Sequence, residues 1–144
     1  MLKRAFDLAL AAAGLVASAP LWGVFAAAIK IEDGAPVFFR QERVGRGGGV
    51  FMAIKFRSMR PDAEAGVGAV QAADHDPRVT RVGRFMRATA MDELPQLWNI
   101  LRGDMSFVGP RALRPGEIER GRNGVLERLE DVPGFATRVS VGPG

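Results

Sequence analysis

The sequence has no cysteine and only one histidine among its 144 residues. The absence of cysteine excludes disulfides, thiolate catalysis and zinc held by cysteine. A single histidine argues against a histidine-based metal site and against a Ser-His-Asp triad. That histidine, His75, lies in the polar segment Asp74-His75-Asp76-Pro77, which is typical of a solvated loop. The length corresponds to one domain with a modest core.

Acidic residues are fewer than basic ones, since 16 Asp and Glu face 20 Lys and Arg for a net charge of +4. An excess of arginine favours anionic partners, namely phosphate esters, nucleic acid or anionic lipid. The chain has no basic stripe interleaved with aromatic residues, so nucleic acid is not expected as a partner.

Charge is missing altogether from Leu8 to Ile29, a stretch of 22 residues that is long enough to cross a bilayer as a helix. A signal peptide would explain Ala17-Ser18-Ala19, but Pro20 follows at once and the apolar run continues beyond it. A spanning helix, a re-entrant hairpin and a buried alanine-rich core helix also fit the composition.

Pro20 favours the re-entrant alternative, because a proline in mid-helix removes a backbone hydrogen bond and clashes with the preceding turn. Ser18 could satisfy a backbone group that Pro20 frees. Basic residues flank both ends of the stretch, so the positive-inside rule does not distinguish the ends, and this symmetry favours a cytoplasmic location for both. We therefore expect a re-entrant membrane helix over residues 1–30, broken at Ser18 and Pro20, and a separate domain over residues 31–144 that carries the function.

Alternating apolar residues next predict a β-hairpin, with strands at Val37–Phe39 and Val50–Ile54 around the glycine-rich tip Gly45–Gly49. The glycines could form a phosphate loop, but they lack the Walker Lys-Ser/Thr and open no helix, which favours a hairpin tip. Lys55 and Arg57 share one strand face at period two and are candidates for binding substrate phosphate. Residues 61–78 are rich in Ala, Gly, Asp and Pro and predict a surface loop.

The segment Asp92–Gly103 predicts an amphipathic helix whose apolar face comprises Leu94, Leu97, Trp98 and Leu101. Gly103 provides a C-terminal stop, and Pro95 belongs in a first turn, so the helix should begin near Asp92. Asp92 and Glu93 would then lie at the helix N-terminus, where free N–H groups favour an ionised carboxylate and attract phosphate. Ordinary capping by acidic residues is the alternative.

Arginines lie on both sides of this acidic pair. Upstream, Arg81, Arg84 and Arg87 recur at helical spacing, and Val82, Phe85 and Met86 form the apolar side of the same predicted helix. Downstream, Met105–Val108 predicts a strand that leads into Gly109-Pro110-Arg111. Further helices are predicted near residues 115–120 and 125–129.

Six segments carry a family resemblance; in chain order they are Lys3-Arg4-x-Phe6-Asp7, Pro36–Gly45, Lys55–Met59, Asp76–Gly83, Asp92–Asn99 and Gly103–Arg111. Together they resemble the bacterial sugar transferases, the monotopic phosphoglycosyl transferases that start lipid-linked glycan assembly. The resemblance runs from residue 3 to residue 144 in the order of the family.

The resemblance implies an α+β fold, with a helix-rich domain on the cytoplasmic face of the bacterial inner membrane, a short β-hairpin and an N-terminal re-entrant helix. It also implies a nucleoside diphosphate sugar donor, expected to be a UDP-sugar, and a polyprenyl phosphate acceptor. By position, the catalytic Asp-Glu dyad corresponds to Asp92 and Glu93, which would also bind Mg²⁺. Arg87 and Arg111 correspond to phosphate-binding residues. The oligomeric state is left open.

The chain departs from the family at three places. Ala19 separates Ser18 from Pro20, whereas the family has an adjacent Ser-Pro pair. Ala112 follows Gly109-Pro110-Arg111, where the family usually has proline. The family continues past Pro-Gly into a Thr-Gly-x-Ala-Gln segment, whereas this sequence stops at Gly144, so we expect a shortened form of the family domain.

The resemblance predicts a mechanism in which Asp92 attacks the sugar-linked phosphate and expels a nucleoside monophosphate. Polyprenyl phosphate would then attack the resulting phosphosugar-aspartyl intermediate. The alternative is a non-catalytic, membrane-anchored basic module that binds acidic lipid or another polyanion. That alternative explains the charge and the apolar N-terminus but gives the acidic pair no role.

Overall fold

The computed structural model describes residues 2–45, 49–63, 65 and 76–115, with the side chains of Pro110 and Arg111 excepted. Its elements are α1 (Leu2–Asp33), β1 (Phe38–Val44), β2 (Val50–Phe56), α2 (Arg81–Ala88), a 3-10 turn (Met91–Glu93), α3 (Gln96–Arg102) and β3 (Ser106–Arg111). The α+β class, the apolar N-terminal helix and the small antiparallel hairpin are confirmed. His75, most of the predicted loop at 61–78 and nearly all of the helices predicted after residue 114 lie outside the described residues.

Helix α1 is a single helix of 32 residues that continues through Pro20. The structure therefore shows no interruption at the predicted break, Ser18 and Pro20. The Ser18 hydroxyl donates to the carbonyl of Leu15 at 3.4 Å and accepts from the indole N–H of Trp22 at 3.0 Å. These bonds give the turn around the proline local polar support, and the helix ends at Asp33, three residues later than predicted.

Length and composition would allow α1 to cross a membrane, and it is the one helix within the described residues that meets both criteria. Only 17% of its most apolar 18-residue window is buried. A helix in the core of a soluble domain would be mostly buried, so α1 keeps a long apolar face outside the packed core. The exposed apolar residues on it include Leu2, Phe6, Leu10, Val16, Leu21, Val24 and Ile31.

The first turns of α1 are fixed to α3 and β3 by polar side chains. The Arg4 guanidinium donates to the carbonyls of Ile100 and Leu101, at 2.5 and 2.6 Å. Carbonyls in the last turn of a helix lack intrahelical partners, and a cation there also complements the helix dipole. The buried Asp7 carboxylate accepts from the Ser106 hydroxyl at 2.9 Å and from the Phe107 N–H at 3.2 Å.

The last turn of α1 is fixed to the same domain. The Glu32 carboxylate accepts from the backbone N–H groups of Arg81 and Val82, at 2.7 and 2.8 Å, and so caps the N-terminus of α2. The side chain of Asp33 forms an ion pair of 3.1 Å with Arg57, just beyond β2. Both ends of α1 are thus bound to one folded unit.

The hairpin pairs β1 with β2 in antiparallel register, from Phe38 opposite Phe56 to Val44 opposite Val50. Strand β1 extends beyond the predicted Phe39 to Val44. The other edge of β2 is satisfied by Asn99, which is fully buried and lies in α3. Its side-chain oxygen accepts from the Ile54 N–H at 3.1 Å and its amide donates to the Met52 carbonyl at 2.8 Å. A single side chain thus takes the place of a neighbouring strand.

Two apolar clusters divide the core along the length of α1. The first is centred on Ala11 and Ile100 and includes Met105 and Ala112. The second comprises Phe25, Ile29, Phe56 and Met86, with Trp22, Val37, Val82, Met91 and Leu94 packed around it. We call this second set the α1–α2 cluster. Phe85 and Trp98, predicted on buried faces, are instead 59% and 50% exposed, because the two helices turn other residues inward.

Candidate active site

The acidic pair occupies a 3-10 turn, Met91–Glu93, that precedes α3. The expectation that an α-helix begins near Asp92 is therefore wrong: α3 begins at Gln96, with Pro95 at its N-cap position. The physical reason is the missing N–H of Pro95, which cannot donate to the Met91 carbonyl as an α-helix requires. The Leu94 N–H donates to that carbonyl instead, at 3.3 Å, and closes a tighter turn. Gly103 ends α3 with φ of 99°, as predicted.

Ala90 directs the chain from α2 into this turn, which we call the dyad turn. It adopts a left-handed conformation with φ of 55° and ψ of 18°. For a non-glycine residue that conformation costs about 1–2 kcal/mol. Such strain persists only where the surrounding structure holds it, and it is commonly found at functional sites. Alanine has no preference for this conformation, so it could not be predicted from the residue type.

Asp92 is 8% exposed. Within the described ranges, no basic group lies at ion-pair distance from its carboxylate. Burial raises the pKa of Asp92 above its ordinary value of 3.8, and the negative charge of Glu93 acts in the same direction. The positive charges of Lys55 and Arg87 act in the opposite direction on that pKa. The structure thus brings two cations close enough to Asp92 to stabilise its charged form.

Glu93 has a direct partner. Its carboxylate oxygen lies 2.6 Å from the ammonium of Lys55, with the two side chains 13% and 22% exposed. Lys55 is the penultimate residue of β2 and is paired with Phe39 across the hairpin, so its backbone position is fixed by the sheet. The ion pair joins the hairpin to the dyad turn, two elements 38 residues apart in the chain.

The remaining predicted site residues lie at three different places. Arg87 is exposed in the last turn of α2, close enough to act on Asp92. Arg57 is buried and bound away from the dyad: its guanidinium pairs with Asp33 and donates to the Asp33 and Gly34 carbonyls at 3.1 and 2.7 Å. The backbone of Arg111 ends β3, and its side chain lies outside the described residues. Asp92, Glu93, Lys55 and Arg87 therefore come together, and Arg57 takes a structural position.

Asn99 is a site-supporting residue that the sequence reasoning missed. It joins β2 to α3 and also donates to Asp104 at 3.1 Å, so it fixes the hairpin that carries Lys55 against the helix that follows the dyad. An asparagine inside an apolar helical run was the available signal, because such a residue needs polar partners when buried.

The dyad suits a magnesium ion that is shared with a substrate. Mg²⁺ in phosphate-transfer sites is commonly held by one or two carboxylates together with substrate phosphates, and not by a cage made wholly of protein. The described residues contain no group of three or more potential ligands, but they do contain this adjacent pair. Because Asp92 is buried and has no ion-pair partner among the described residues, its carboxylate is a group whose charge a cation would stabilise. Asp92 and Glu93 are therefore the residues that fit such an ion.

The chain belongs to the bacterial sugar transferase family, whose model matches residues 1–144. Its relatives include a Bacillus subtilis protein, 46% identical over 141 residues, that is named provisionally as an undecaprenyl-phosphate N-acetylgalactosaminyl 1-phosphate transferase. Another is the undecaprenyl-phosphate glucose phosphotransferase of Komagataeibacter xylinus, 44% identical over 142 residues. A third is the UDP-glucose:undecaprenyl-phosphate glucose-1-phosphate transferase of Caulobacter vibrioides, 51% identical over 109 residues.

The alignments cover 98%, 99% and 76% of this chain, respectively. They cover 74% of the Bacillus protein, 26% of the Komagataeibacter protein and 40% of the Caulobacter protein. This chain is therefore shorter than each of these relatives, and in two cases matches less than half of the relative. The protein class is nevertheless clear, because family membership and the relatives' names both identify sugar transferases, which are enzymes.

Proposed function

We propose that this protein transfers a sugar 1-phosphate from a nucleoside diphosphate sugar, a UDP-sugar by preference, to a polyprenyl phosphate. The names of the relatives support the acceptor and the type of reaction. The observation that carries the proposal is the arrangement around Asp92: a buried carboxylate, free of an ion pair within the described residues, beside Glu93, Lys55 and Arg87.

In the first step, a carboxylate oxygen of Asp92 attacks the sugar-linked phosphorus of the donor. The bond from that phosphorus to the bridging oxygen breaks, and the nucleoside monophosphate leaves with the bond's electron pair. The sugar phosphate remains on Asp92 as an acyl phosphate. Asp92 is suited to this role because its short, buried side chain is easily held in line with the phosphorus atom.

In the second step, a phosphate oxygen of the polyprenyl phosphate attacks the same phosphorus atom. The acyl phosphate bond breaks, the Asp92 carboxylate is regenerated, and a polyprenyl diphosphate sugar forms. Each step exchanges one phosphorus–oxygen bond for another, so no oxidant or additional co-reactant is needed.

Positive side chains around the dyad would stabilise the phosphate charge in both steps. Lys55 and Arg87 are close to Asp92, and Arg111 is proposed as a further clamp because arginine can bind phosphate in a bidentate manner. Mg²⁺, when bound at Asp92 and Glu93, would neutralise charge that develops on the leaving nucleotide. Arg57, with its guanidinium bound to Asp33 and Gly34, would act on the site only by holding the end of β2.

We also propose that α1 is embedded in the inner membrane with both ends on the cytoplasmic face, so that its change of direction is a bend at Pro20 within one continuous helix. The hydrogen bonds at both ends of the helix support this topology, because Lys3 and Arg4 contact the same folded unit as Glu32 and Asp33. A straight helix across the bilayer would place its two ends on opposite sides. The exposed apolar face of α1 is the surface that lipid would cover.

A non-catalytic basic module is not favoured. It accounts for the apolar helix and the positive charge, but it gives no role to the buried Asp92 or to the ion pair between Glu93 and Lys55. The family of the chain consists of transferases, which the basic-module interpretation also leaves unexplained.

The decisive experiment is the release of uridine monophosphate from a panel of UDP-sugars, with polyprenyl phosphate and Mg²⁺ present. Intact-protein mass spectrometry without the acceptor then tests the intermediate, since a phosphosugar adduct should form and should map to Asp92. An active enzyme without any adduct would replace the two-step mechanism by direct transfer in a ternary complex. Absence of nucleotide release from every donor would contradict the proposed reaction.

Topology can be tested by single cysteines, because the chain has none of its own. Leu2 and Ala35 are exposed at the two ends of the apolar segment, so cysteines there should not disturb packing. A membrane-impermeant maleimide should label both from the cytoplasmic face. Labelling from opposite faces would establish a spanning helix instead, and Pro20→Leu should shift the protein toward that form.

A further inference from the structure

Lys55 is the only cation among the described residues that forms an ion pair with the acidic dyad. Its ammonium lies 2.6 Å from Glu93, whereas it acts on the buried Asp92 from a longer range. Lysine presents a compact charge on a flexible stem with three rotatable donors, so it can change partners without moving the strand. Phe39, its partner across the hairpin, keeps the backbone of Lys55 in place.

The position of Lys55 conflicts with the use of Glu93 as a metal ligand. A divalent cation on Glu93 would lie within a few ångströms of the Lys55 ammonium, and like charges at that range in a partly buried site repel strongly. The two cations therefore compete for one carboxylate. A phosphate-bearing donor removes the conflict, because it offers Lys55 a new anionic partner next to the dyad.

We propose that Lys55 is an exchangeable counter-ion. It neutralises Glu93 while the site is empty, and it transfers from Glu93 to a donor phosphate when the cation and the donor bind together. This inference rests on the proposed function, since that function supplies the donor phosphate. It gives Lys55 a positioning role in addition to phosphate binding: Lys55 makes the binding of metal and the binding of donor depend on each other.

The exchange has a measurable consequence for metal affinity. Without donor, Lys55 opposes the cation, so its removal should strengthen metal binding. With donor, Lys55 binds phosphate, so its removal should weaken donor binding. Coupling between two ligands commonly amounts to about 5–150-fold in affinity. A residue that merely stabilises the fold would not change the two affinities in opposite directions.

The test is a titration of the full chain with Mn²⁺ as a probe for the metal, with free Mn²⁺ measured by electron paramagnetic resonance. Lys55→Met should bind Mn²⁺ about tenfold more tightly than wild type when no donor is present, which is the lower range of such couplings. Lys30→Met is the matched control, because it makes the same charge change at an exposed site on α1 and should leave the affinity unchanged. In a Glu93→Gln background, Lys55→Met should no longer strengthen binding.

Unchanged or weaker Mn²⁺ binding by Lys55→Met would overturn the proposal. The wild-type protein provides a second test that does not depend on the folding of a variant. Acylation of the Lys55 amine, followed by peptide mass spectrometry, should increase when Mn²⁺ alone is added, and protection by Mn²⁺ would contradict the exchange. Neither measurement requires sugar transfer, so a failure of the proposed function would be seen separately, as an absence of nucleoside monophosphate release.

Discussion

Two acidic turns in this protein use the same residue type for opposite purposes. Asp76 begins the turn Asp76-Pro77-Arg78, and its carboxylate accepts from the Arg78 backbone N–H at 2.9 Å and from the Arg78 side chain at 2.6 Å. These bonds lower the pKa of Asp76 to about 2. Asp92, in the dyad turn, is equally buried from solvent, but burial there raises its pKa.

The Asp76 turn stabilises the fold, whereas the dyad turn holds a carboxylate in an environment that destabilises its charge. The carboxylate of Asp76 is satisfied by an arginine two residues away and remains charged without any ligand. The carboxylate of Asp92 depends on cations from other elements, and a bound metal or substrate would complete its environment. A buried charge that lacks a direct partner destabilises the fold, and such sites are frequently functional. Four predictions test this contrast, from the largest expected effect to the smallest.

Asp92→Asn should abolish transfer and adduct formation, because the amide cannot replace the carboxylate as a nucleophile. The same variant should unfold at a higher temperature than wild type at neutral pH, since it removes a desolvated charge. Asp76→Asn should do the reverse, with transfer retained and the unfolding temperature lowered. Thermal unfolding and nucleotide release measured on both variants check the contrast. Full activity in Asp92→Asn, or an adduct that maps to Glu93, would reverse the assignment.

The dyad turn also depends on helix α1, whereas the Asp76 carboxylate is held by the nearby Arg78. Met91 and Leu94 flank the dyad and pack on the α1–α2 cluster, which contains Ile29. Ile29→Ala should cost about 2–5 kcal/mol of unfolding free energy, as is typical when a buried isoleucine is truncated. We expect its Mn²⁺ affinity to fall as well, because the turn loses support.

Ile31→Ala is the matched control for this prediction. Ile31 is 86% exposed on the same helix, whereas Ile29 is 3% exposed. Ile31→Ala should have the same unfolding free energy and Mn²⁺ affinity as wild type. It should, however, co-sediment less with lipid vesicles. Equal losses of stability in the two variants would show that α1 does not pack on the domain by the face described here.

Substitutions of arginine should likewise affect either turnover or stability, according to the residue that is changed. Arg87→Ala and Arg111→Ala should each reduce turnover by one to two decades, because a charge-assisted phosphate contact contributes about 1.5–3 kcal/mol. Their unfolding temperatures should stay close to wild type. Arg78→Ala should lower the unfolding temperature and keep turnover per folded molecule, since Arg78 holds Asp76 and donates to the Ala63 carbonyl. Steady-state kinetics with unchanged rates in Arg87→Ala and Arg111→Ala would exclude the clamp.

The smallest effects should be seen in the pH dependence of stability. Because the pKa of Asp76 is lowered on folding, its carboxylate contributes to the free energy of unfolding above pH 3.8. This contribution is lost as the pH falls toward about 2. Because the pKa of Asp92 is raised on folding, its effect on stability is the opposite. The wild type should lose stability relative to Asp92→Asn as the pH rises above 3.8. The measurement is the unfolding temperature of wild type and of both asparagine variants from pH 2 to 7. At the acidic end, the unfolding temperature of Asp76→Asn should converge with that of wild type. The unfolding temperature of Asp92→Asn should also converge with that of wild type at acidic pH, but at neutral pH the variant should unfold at a higher temperature than wild type.

The sequence by itself determined much of the local structure and the family to which the chain belongs. The apolar run gave α1, alternation around the glycines gave the hairpin, and helical spacing of apolar residues with Gly103 gave α3 and its end. The ordered motifs identified the family, which the family match confirms. These features are local in the chain, and the physical rules for them act over a few residues.

Only the tertiary structure decided which charges meet. Lys55 and Arg57 are two residues apart and have similar charge, yet the strand ends between them, so Lys55 pairs with Glu93 and Arg57 pairs with Asp33. The partners are 38 and 24 residues away, beyond the reach of any local pattern. Asp92 shows the same dependence on packing, because burial among elements distant in the chain raises its pKa, whereas Asp76 has its pKa lowered by the local contact with Arg78.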